Sequence, residues 1–339
     1  MNYLMCSVGR RGELIKDFKK SAEPGSLIIA VDNSPYAPAL YLADKQYLVP
    51  RIDSPEYIDC LLNICKIEDI RAVMTFIDPE IMLLAQNRSR FKEAGVDVLV
   101  PFEETARVCF DKFEMFKYLR ECGIRTVTTW GSFEEASKAL HSGDAAFPLF
   151  VKPRRGSGSV GARRVEDIES LKLSFEDDPS LIAQELMAGD GVVDIDADVY
   201  IDTLTNEAVS AFSKRKISTT IGGANKTISY RDESLFTFIR EIVAHFQFYG
   251  PIDMDFFFKD GQYYLSEVNP RFGGAYLHAY GAGVDFIKMI EKNLYGVPNE
   301  PLFGDYEDGI AMMMYDSVVI KRSGELIHTD EYGLKNGNN

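Results

Sequence analysis

Short apolar runs alternate with segments of helical period over the first hundred residues. The runs that we interpret as strands occupy residues 3–8, 27–31, 46–49, 72–76 and 97–100. Strands separated by helices are typical of a parallel sheet with helices on both faces. We therefore predict a doubly wound α/β lobe over residues 1–105.

The periodicity changes in the second half of the chain. Residues 111–123 have a helical period, and from Phe147 onward long strands with hairpin-like turns predict an α+β region built on antiparallel sheet. We place a hinge at 102–111, at the start of a small lobe over residues 106–186. A third lobe is predicted over 187–330, followed by a frayed polar tail at 331–339.

Size and charge restrict the possible partners. A chain of 339 residues is long enough for two or three lobes, and its net charge of -15 argues against nucleic acid. No apolar run approaches the roughly 20 residues that cross a membrane. The N-terminus runs directly into a strand pattern without a signal-peptide pattern, so we expect a cytoplasmic protein. The five cysteines form no CxxC pair and are expected to be reduced and mostly buried.

The first turn superficially resembles a dinucleotide-binding fingerprint. It reads Gly9-Arg10-Arg11-Gly12, and Asp32 ends the second strand about twenty residues later. The glycine pattern is incomplete and two arginines occupy the tight turn. These features disfavour nicotinamide binding and favour a lobe of this topology that serves another substrate.

The strongest chemical signal is a hairpin around a Lys-Asp-Gly turn. Asp255 lies on its first strand, and the second strand reads Glu267-Val-Asn269-Pro-Arg271. Period-two alternation places Glu267 and Asn269 on one face. Two carboxylates and an amide are oxygen ligands that suit magnesium beside nucleotide phosphates. The alternative without a metal site is an amphipathic hairpin in which Asp255 and Glu267 are merely exposed. Mostly apolar strands, however, rarely carry carboxylates that have no partners.

This hairpin resembles the metal motif of the ATP-grasp superfamily, in the branch similar to the ATP-binding halves of carbamoyl-phosphate synthase large chain and to biotin carboxylase. The resemblance covers nearly the whole chain. It implies an ATP-grasp fold of mixed α/β and α+β class, with a pre-ATP-grasp N-terminal lobe, a small lid lobe and a C-terminal antiparallel-sheet lobe. It also implies ATP and Mg²⁺ (or Mn²⁺), and the metal ligands Asp255, Glu267 and Asn269. Arg271 is our candidate for binding the carboxylate and then the acyl phosphate.

A second motif consists of a strand that ends in Lys152 and a basic, hydroxyl-bearing loop. Backbone amides and serine hydroxyls in such a loop can cradle phosphates. Residues 162–165 look like a returning strand, so we interpret the loop as a hairpin lid and not as a dinucleotide turn. The resemblance assigns Lys152 and Lys112 to the phosphates, although both could be ordinary surface lysines. The candidate phosphate-binding residues in the loop are Gly156, Ser157, Gly158 and Ser159.

A third motif, Gln184-Glu185-Leu186, ends a buried strand. Its backbone is our candidate for binding adenine. In the family a glutamate that follows binds ribose, and Asp194 occupies the corresponding position here. Extra acidic residues leave Asp190 and Asp196 as alternatives.

The last motif is a basic strand, Ser213-Lys214-Arg215-Lys216, followed by a glycine turn. Alternation places Lys214 and Lys216 on one face. The family places a basic residue here against the γ-phosphate, and Lys216 is our first candidate with Lys214 second. A solvated cationic strand is the alternative. His278 lines the acceptor pocket in one interpretation and is a packed histidine in the other.

These motifs together indicate an ATP-dependent ligase that activates a carboxylate as an acyl phosphate and joins it to an amine, with small-molecule substrates and, by family analogy, a homodimer. Two alternatives stay open. One is a carbamoyl-phosphate-synthase-like enzyme that phosphorylates bicarbonate or carbamate, which a single ATP-grasp unit without biotin or amidotransferase segments disfavours. The other is a non-catalytic ATP sensor, which has no need of a complete metal motif.

Overall fold

The computed structural model describes residues 1–156, 161–220 and 223–327. Its N-terminal lobe contains a five-stranded parallel sheet in the order β3-β2-β1-β4-β5. The strands are β1 Asn2–Cys6, β2 Ile28–Asp32, β3 Lys45–Leu48, β4 Ile70–Thr75 and β5 Asp97–Val98. The doubly wound lobe predicted from the sequence is confirmed.

Helices cover both faces of this sheet because their apolar residues recur at helical spacing. The helices are α1 Gly12–Ser21, α2 Tyr57–Ile67, α3 Asp78–Gln86 and α4 Arg88–Glu93. In α1, Leu14, Ile15 and Phe18 are buried, and the Phe18 ring packs edge-on against Phe272 of the C-terminal lobe at 5.7 Å. The N-terminal and C-terminal lobes therefore share one continuous hydrophobic core on this side.

The segment expected to form a hinge is helical instead. Helix α5 spans Glu103–Phe110 and α6 spans Lys112–Glu121, with Asp111 between them. Glu103 and Glu104 stabilise the positive N-terminal end of α5, and Ala106 and Cys109 bury its inner face. The boundary predicted at 102–111 therefore falls on a packed helix, and its role as a hinge stays a prediction.

The small lobe is a four-stranded antiparallel sheet with two helices. The sheet order is β6-β9-β7-β8. The elements are β6 Thr129–Trp130, α7 Phe133–Ser142, β7 Leu149–Pro153, β8 Arg163–Val165, α8 Ile168–Asp177 and β9 Leu181–Glu185. Strand β8 returns antiparallel to β7, so the hairpin interpretation of this segment is confirmed.

The C-terminal lobe is built on a seven-stranded, mostly antiparallel sheet in the order β14-β13-β10-β11-β12-β16, with β15 parallel to β11. Its strands are β10 Val193–Ile201, β11 Ala208–Thr220, β12 Gly223–Ser229, β13 Gly250–Lys259, β14 Gln262–Asn269, β15 Leu302–Phe303 and β16 Ala311–Met313. Its helices are α9 Glu233–Val243, α10 Tyr276–Gly281 and α11 Phe286–Leu294. One face of the sheet carries the apolar residues, and the other carries the charged residues described below.

Among the described residues, no helix is long and apolar enough to span a membrane.

Candidate active site

Three oxygen-bearing side chains meet on the β13–β14 hairpin. Asp255 pairs with Glu267, and Asp253 pairs with Asn269. The turn pairs Lys259 with Gln262, and a register shift between Asp255 and Phe256 leaves Ser266 as an extra residue of β14. Without this bulge, Glu267 would oppose Met254 on the apolar face. The bulge therefore aligns Asp255, Glu267 and Asn269 on one face.

Lysines from two other elements reach these carboxylates. Lys216 on β11 binds Asp255, and its Nζ lies 3.0 Å from Asp194 Oδ1. At the start of α6, Lys112 Nζ lies 3.3 Å from Glu267 Oε1 and donates to the carbonyl of Gly156 at 2.5 Å. Carboxylates and cations thus alternate across a single site.

Lys152 faces the same group from the lid lobe. Its ammonium group lies close enough to four charged residues for their charges to affect its pKa, namely Glu267, Lys112, Asp255 and Lys216. Burial lowers the pKa of Lys152 and outweighs the opposing effect of Glu267. The sheet of the small lobe therefore presents a cation toward the carboxylates of the large one.

Burial also disfavours a free negative charge on Asp255. It raises the pKa of that carboxyl to about 6, although Lys216 acts in the opposite direction. An ion pair with Lys216, or a metal ion, keeps the group ionised at neutral pH. The donor set therefore fits a hard cation such as Mg²⁺, which prefers carboxylate and amide oxygens.

Lys214 lies two residues before Lys216 on β11, on the same face, and is completely buried. Its Nζ lies 2.8 Å from Asp196 Oδ1 and binds Asp198. Burial lowers the pKa of Lys214, but the two carboxylates outweigh this effect and raise the pKa above its ordinary value. The ammonium group is fixed within the sheet face, so a contact with phosphate would require it to leave one of its partners.

Arg271 follows β14 and is held by the N-terminal lobe. Its Nε donates to Asp78 Oδ1 at 2.9 Å, and its NH1 lies 3.7 Å from Asp253 Oδ2. Burial lowers the pKa of Arg271, but Asp78 and Asp253 reverse the shift. A planar guanidinium is thereby oriented beside Glu267 and Asn269.

Arg11, from the first turn of the N-terminal lobe, reaches the same place. Its NH1 donates to the carbonyl of Gly273 at 3.1 Å. Burial, together with the nearby Arg271, lowers the pKa of Arg11 to about 10, and Asp253 and Asp78 oppose this shift. The arginine-rich turn thus contributes a charge to the site. Asp32, at the end of β2, instead accepts a hydrogen bond from the backbone N–H of Gly9 in that turn, at 2.9 Å.

A cavity lies where the N-terminal lobe meets these residues. Its polar lining includes Asp78, Lys112, Glu267 and Asn269, and α3 and α5 contribute apolar side chains. Candidate metal ligands therefore line this cavity together with residues of α3 and α5.

The candidate adenine-binding segment ends β9. Gln184 is buried and donates to Thr129 Oγ1 at 2.7 Å, Glu185 Oε1 lies 2.7 Å from Lys259 Nζ, and Leu186 is half-buried. The side chains of Gln184 and Glu185 are thus engaged elsewhere, and the backbone N–H of Glu185 donates to the carbonyl of Thr128 at 3.0 Å. Of the ribose candidates, Asp194 and Asp196 contact the lysines described above, whereas Asp190 is exposed.

The glycine-rich loop is only partly described. Gly156 contacts Lys112, whereas Ser157, Gly158 and Ser159 lie outside the described residues. At the start of the loop, Arg154 Nε donates to both carboxylate oxygens of Asp111, at 2.5 and 2.7 Å. The same Asp111 Oδ1 caps α6 by accepting from the backbone N–H of Glu114 at 3.1 Å.

His278 is a packed residue in this structure. It is buried, its Nδ1 lies 2.7 Å from Thr227 Oγ1, and its ring contacts Phe212 edge-on at 4.8 Å. Burial, with the charge of Lys214, lowers its pKa to about 4. These contacts favour the packed interpretation over a role in the acceptor pocket.

Sequence reasoning missed four residues of this region, namely Asp78, Asp198, Asp253 and Arg11. Asp198 lies two residues after Asp196, and Asp253 lies two residues before Asp255. Strand alternation therefore places each on the same face as its neighbour and could have predicted both. The other two come from the N-terminal lobe, and nothing in their local sequence indicates the contact.

Two family models match the chain. Residues 3–99 match the PylC-like N-terminal domain, and residues 109–275 match the ATP-grasp domain. Together these matches include the candidate metal ligands and the lysines around them, whereas residues 100–108, with most of α5, lie between the two matches.

Curated relatives resemble the chain over part of their length. A formate-dependent phosphoribosylglycinamide formyltransferase from Haloquadratum walsbyi is 25% identical over 281 residues, covering 77% of this chain and 66% of the relative. The enzyme of the same name from Prochlorococcus marinus is 29% identical over 169 residues, covering 49% of this chain and 41% of the relative. A D-alanine--D-alanine ligase from Nitratiruptor is 25% identical over 213 residues, with 58% and 60% covered. The chain thus spans between 41% and 66% of the length of these relatives.

Solved structures share the architecture at low identity. The biotin carboxylase domain of Hydrogenobacter thermophilus 2-oxoglutarate carboxylase superposes with a TM-score of 0.71 at 16% identity, covering 91% of this chain and 73% of that one. N5-carboxyaminoimidazole synthetase from Staphylococcus aureus gives a TM-score of 0.69 at 15% identity, covering 89% and 78%.

Proposed function

The chain has the ATP-grasp fold, with an ATP-grasp domain at residues 109–275 behind a PylC-like N-terminal domain, and we propose that it is an ATP-dependent carboxylate-amine ligase. The observation that carries this proposal is the alignment of Asp255, Glu267 and Asn269 on one face, with Lys112, Lys152 and Lys216 around them. Degenerate nucleotide binders have no need of such a complete set.

The proposed metal ligands are Asp255, Glu267 and Asn269, which would hold Mg²⁺ or Mn²⁺. When bound, the metal would neutralise charge on the phosphate oxygens of ATP. The ion pairs Lys216–Asp255 and Lys112–Glu267 support this role. When metal and nucleotide bind, the two carboxylates would contact the metal and the two lysines would contact phosphate.

The remaining roles follow from position. Lys112, Lys152 and the loop from Gly156 to Ser159 would bind the phosphates, the backbone of residues 184–186 would bind adenine, and Asp194 would bind ribose unless Asp190 or Asp196 does. Lys216 is proposed to contact the γ-phosphate. Lys214 is the second candidate, although its ammonium already binds Asp196 and Asp198.

The proposed reaction has two displacement steps. A carboxylate oxygen of the substrate attacks the γ-phosphorus and ADP leaves, giving an acyl phosphate; an amine nitrogen then attacks the acyl carbon, and phosphate and a proton leave. Arg271 would orient the carboxylate and then the acyl phosphate, since Asp78 fixes its guanidinium. Such catalysis depends on positioning and charge, and needs no covalent nucleophile from the protein.

The test is ADP release from ATP and Mg²⁺ against a panel of amino acids, hydroxy acids, formate, bicarbonate and amines. The wild type is compared with Glu267→Gln and with Glu241→Gln, a matched change at an exposed position of α9. Release that needs a carboxylate and an amine together, and that is lost only in Glu267→Gln, supports the ligase. Stimulation by bicarbonate alone would replace it with the carboxyphosphate-forming alternative, and tight ATP binding without ADP release would replace it with the sensor.

Two coarser expectations complete the proposal. We propose domain limits of 1–105, 106–186 and 187–330, and a cytoplasmic homodimer. Limited proteolysis, light scattering and cell fractionation respectively test these three statements.

A further inference from the structure

Residues 311–322, which we call the strap, connect the C-terminal lobe to the N-terminal lobe across the surface. The strap begins with β16, which pairs with β12 and lies at one end of the strand order of the large sheet. The chain then continues outside helix and strand until Lys321 lies over the ring of Tyr41, with its Nζ 5.6 Å from the ring centre. Ile327, just beyond the strap, is buried in the core that both lobes share. The strap is therefore fixed at both of its ends.

The strap exposes apolar side chains to solvent. Four of them have exposed fractions between 66% and 90%, namely Met313, Tyr315, Val318 and Ile320. Burying all four would remove on the order of 600 Å² of surface from water, since one aromatic side chain alone buries about 150 to 250 Å². A patch of this size is at the upper end for soluble monomers and indicates a contact site. A typical stable interface covers about 800 Å² on each partner, so the strap supplies most of one side of such an interface.

The backbone of β16 is also available at its outer edge. The N–H of Met314 donates to the carbonyl of Asn225 at 2.9 Å, so the backbone groups of Met314 face β12. Alternation along the strand turns the backbone groups of Met313 away from β12. Edge strands that stay single usually carry lysine, proline or a bulge, whereas residues 311–315 include neither a charged residue nor a proline. The sequence of this edge therefore does not oppose contact with another chain.

Charge favours a second copy of this chain as the partner. The strap contains one acid, Asp316, and two bases, Lys321 and Arg322, so its net charge is +1 in a chain of net charge -15. Two copies repel each other least where acids are few. The acid precedes the apolar residues 318–320 and the bases follow them. Two straps that approach in antiparallel directions therefore bring Asp316 of each copy close to the bases of the other, as a self-complementary contact requires.

We propose that the strap is the contact surface of a homodimer, in which two straps pack antiparallel about a two-fold axis perpendicular to them. The inference rests on the homodimer proposed above and names the surface that forms it. Tyr315, Val318 and Ile320 are buried between the two copies, and Asp316 pairs with the partner's Lys321. The apolar side chains provide most of the affinity, and the charged pairs select the antiparallel direction.

Sedimentation equilibrium of the full chain measures the dimer Kd. The wild type should reach twice the 38.1 kDa of a single chain. Tyr315→Lys and Val318→Lys each place a charge in the apolar part of the contact and should raise the Kd about 100-fold. Leu173→Lys makes the same kind of change at an exposed position of α8 and should leave the Kd unchanged. Because all three positions are exposed in the single chain, circular dichroism and Tm should show that each variant folds.

A charge exchange tests the antiparallel direction. Asp316→Lys and Lys321→Glu should each raise the Kd about tenfold, because each brings like charges together. The double variant recreates both pairs with reversed signs, so its Kd should return to within about threefold of the wild-type value. Lys321→Glu also loses the contact with the Tyr41 ring of its own chain. The double variant does not restore that contact, so recovery of the Kd reports on the contact between copies.

Three results would overturn the inference. A wild type that stays at 38.1 kDa at every concentration removes both the strap contact and the homodimer. A dimer whose Kd is unchanged in Tyr315→Lys and Val318→Lys keeps the homodimer and removes the strap as its surface. A double charge variant that binds no better than the single variants removes the antiparallel arrangement. The ADP-release panel separates these failures from failure of the proposed function, because a monomer that forms ADP with carboxylate and amine is still the proposed ligase.

Discussion

Lys216 reaches across strand β10 to bind Asp255 on β13, so a phosphate-binding candidate and a metal-binding candidate neutralise each other in the same structure. The pair is half-buried, and an uncompensated charge in such a place is unfavourable. We therefore expect the pair to separate only when a metal and an anion arrive together, which couples their binding.

Replacing Lys216 by Met tests this coupling. We expect kcat for ADP formation to fall by about 10² to 10³, the usual cost of losing one preorganised charge. Because Asp255 loses its competing cation, Mn²⁺ should bind more tightly in the absence of nucleotide, as measured by electron paramagnetic resonance. Lys226→Met, at an exposed position of the adjacent strand β12, is the control and should change neither quantity. Unchanged kcat in Lys216→Met would remove this lysine from the proposed site.

Asp78 is a second test, because it positions Arg271 from another lobe. In Asp78→Asn the guanidinium loses a charged partner at 2.9 Å but keeps its own charge. We expect kcat/KM for the carboxylate substrate to fall about tenfold, with the Kd for ATP unchanged. Asp53→Asn, in an exposed pair with Arg51, should behave as the wild type. A change confined to the Kd for ATP would show that Asp78 serves the nucleotide instead.

The sequence predicts this site well where the signal is local. Alternation along single strands was enough to group Glu267 with Asn269 and Lys214 with Lys216. Helix and strand periods predicted the parallel sheet of the N-terminal lobe and the antiparallel sheets that follow it. These features depend on near neighbours in the chain, which is why they can be predicted without knowledge of the pairing.

Features that depend on pairing between distant segments could not be predicted. The bulge at Ser266 decides whether Glu267 faces Asp255, and no residue type in Tyr-Leu-Ser-Glu-Val reveals it. The burial of Lys214 arises only when β10 supplies Asp196 and Asp198. The helix in the expected hinge segment at 102–111 likewise depends on tertiary packing, which buries Ala106 and Cys109.

Asp111 provides a test of the connection between the lid and α6. It caps the helix and binds Arg154, so Asp111→Ala should destabilise the protein by about 3 kcal/mol in urea unfolding, the sum of a cap and a charged hydrogen bond. The control Asp167→Ala removes only an exposed cap of α8 and should cost about 1 kcal/mol. Equal losses in the two variants would mean that the arginine contact contributes nothing.

The same residue predicts a pH dependence. Burial raises the pKa of Asp111, but Arg154 and the backbone N–H of Glu114 outweigh this and hold the pKa below the ordinary 3.8. A depressed folded-state pKa gives stability that is complete above the unfolded value and is lost as the pH falls through the folded one. The difference between wild type and Asp111→Ala should therefore be constant from pH 5 to 7 and shrink below about pH 3.8. A difference that grows on acidification contradicts the assignment.

Glu80 should show the opposite dependence. It is fully buried in α3, where Thr75 Oγ1 donates to it at 2.5 Å and Tyr57 binds its other oxygen. Burial raises its pKa above the ordinary 4.5, more strongly than these hydrogen bonds lower it. The folded state therefore binds a proton that the unfolded state releases, and the stability of the wild type falls as the pH rises above 4.5 until the folded-state pKa is passed.

Glu80→Gln removes this titration while keeping the shape of the side chain. Urea unfolding from pH 5 to 8 should show the variant gaining stability relative to the wild type, by about 1.4 kcal/mol for each pH unit between the two pKa values. Glu93→Gln, at an exposed position of α4, should run parallel to the wild type. If the wild type instead gains on Glu80→Gln as the pH rises, then the hydrogen bonds from Thr75 and Tyr57 outweigh burial and Glu80 is ionised in the folded protein. The slope thus measures which of two opposing effects controls this carboxyl, because burial and hydrogen bonding predict opposite signs.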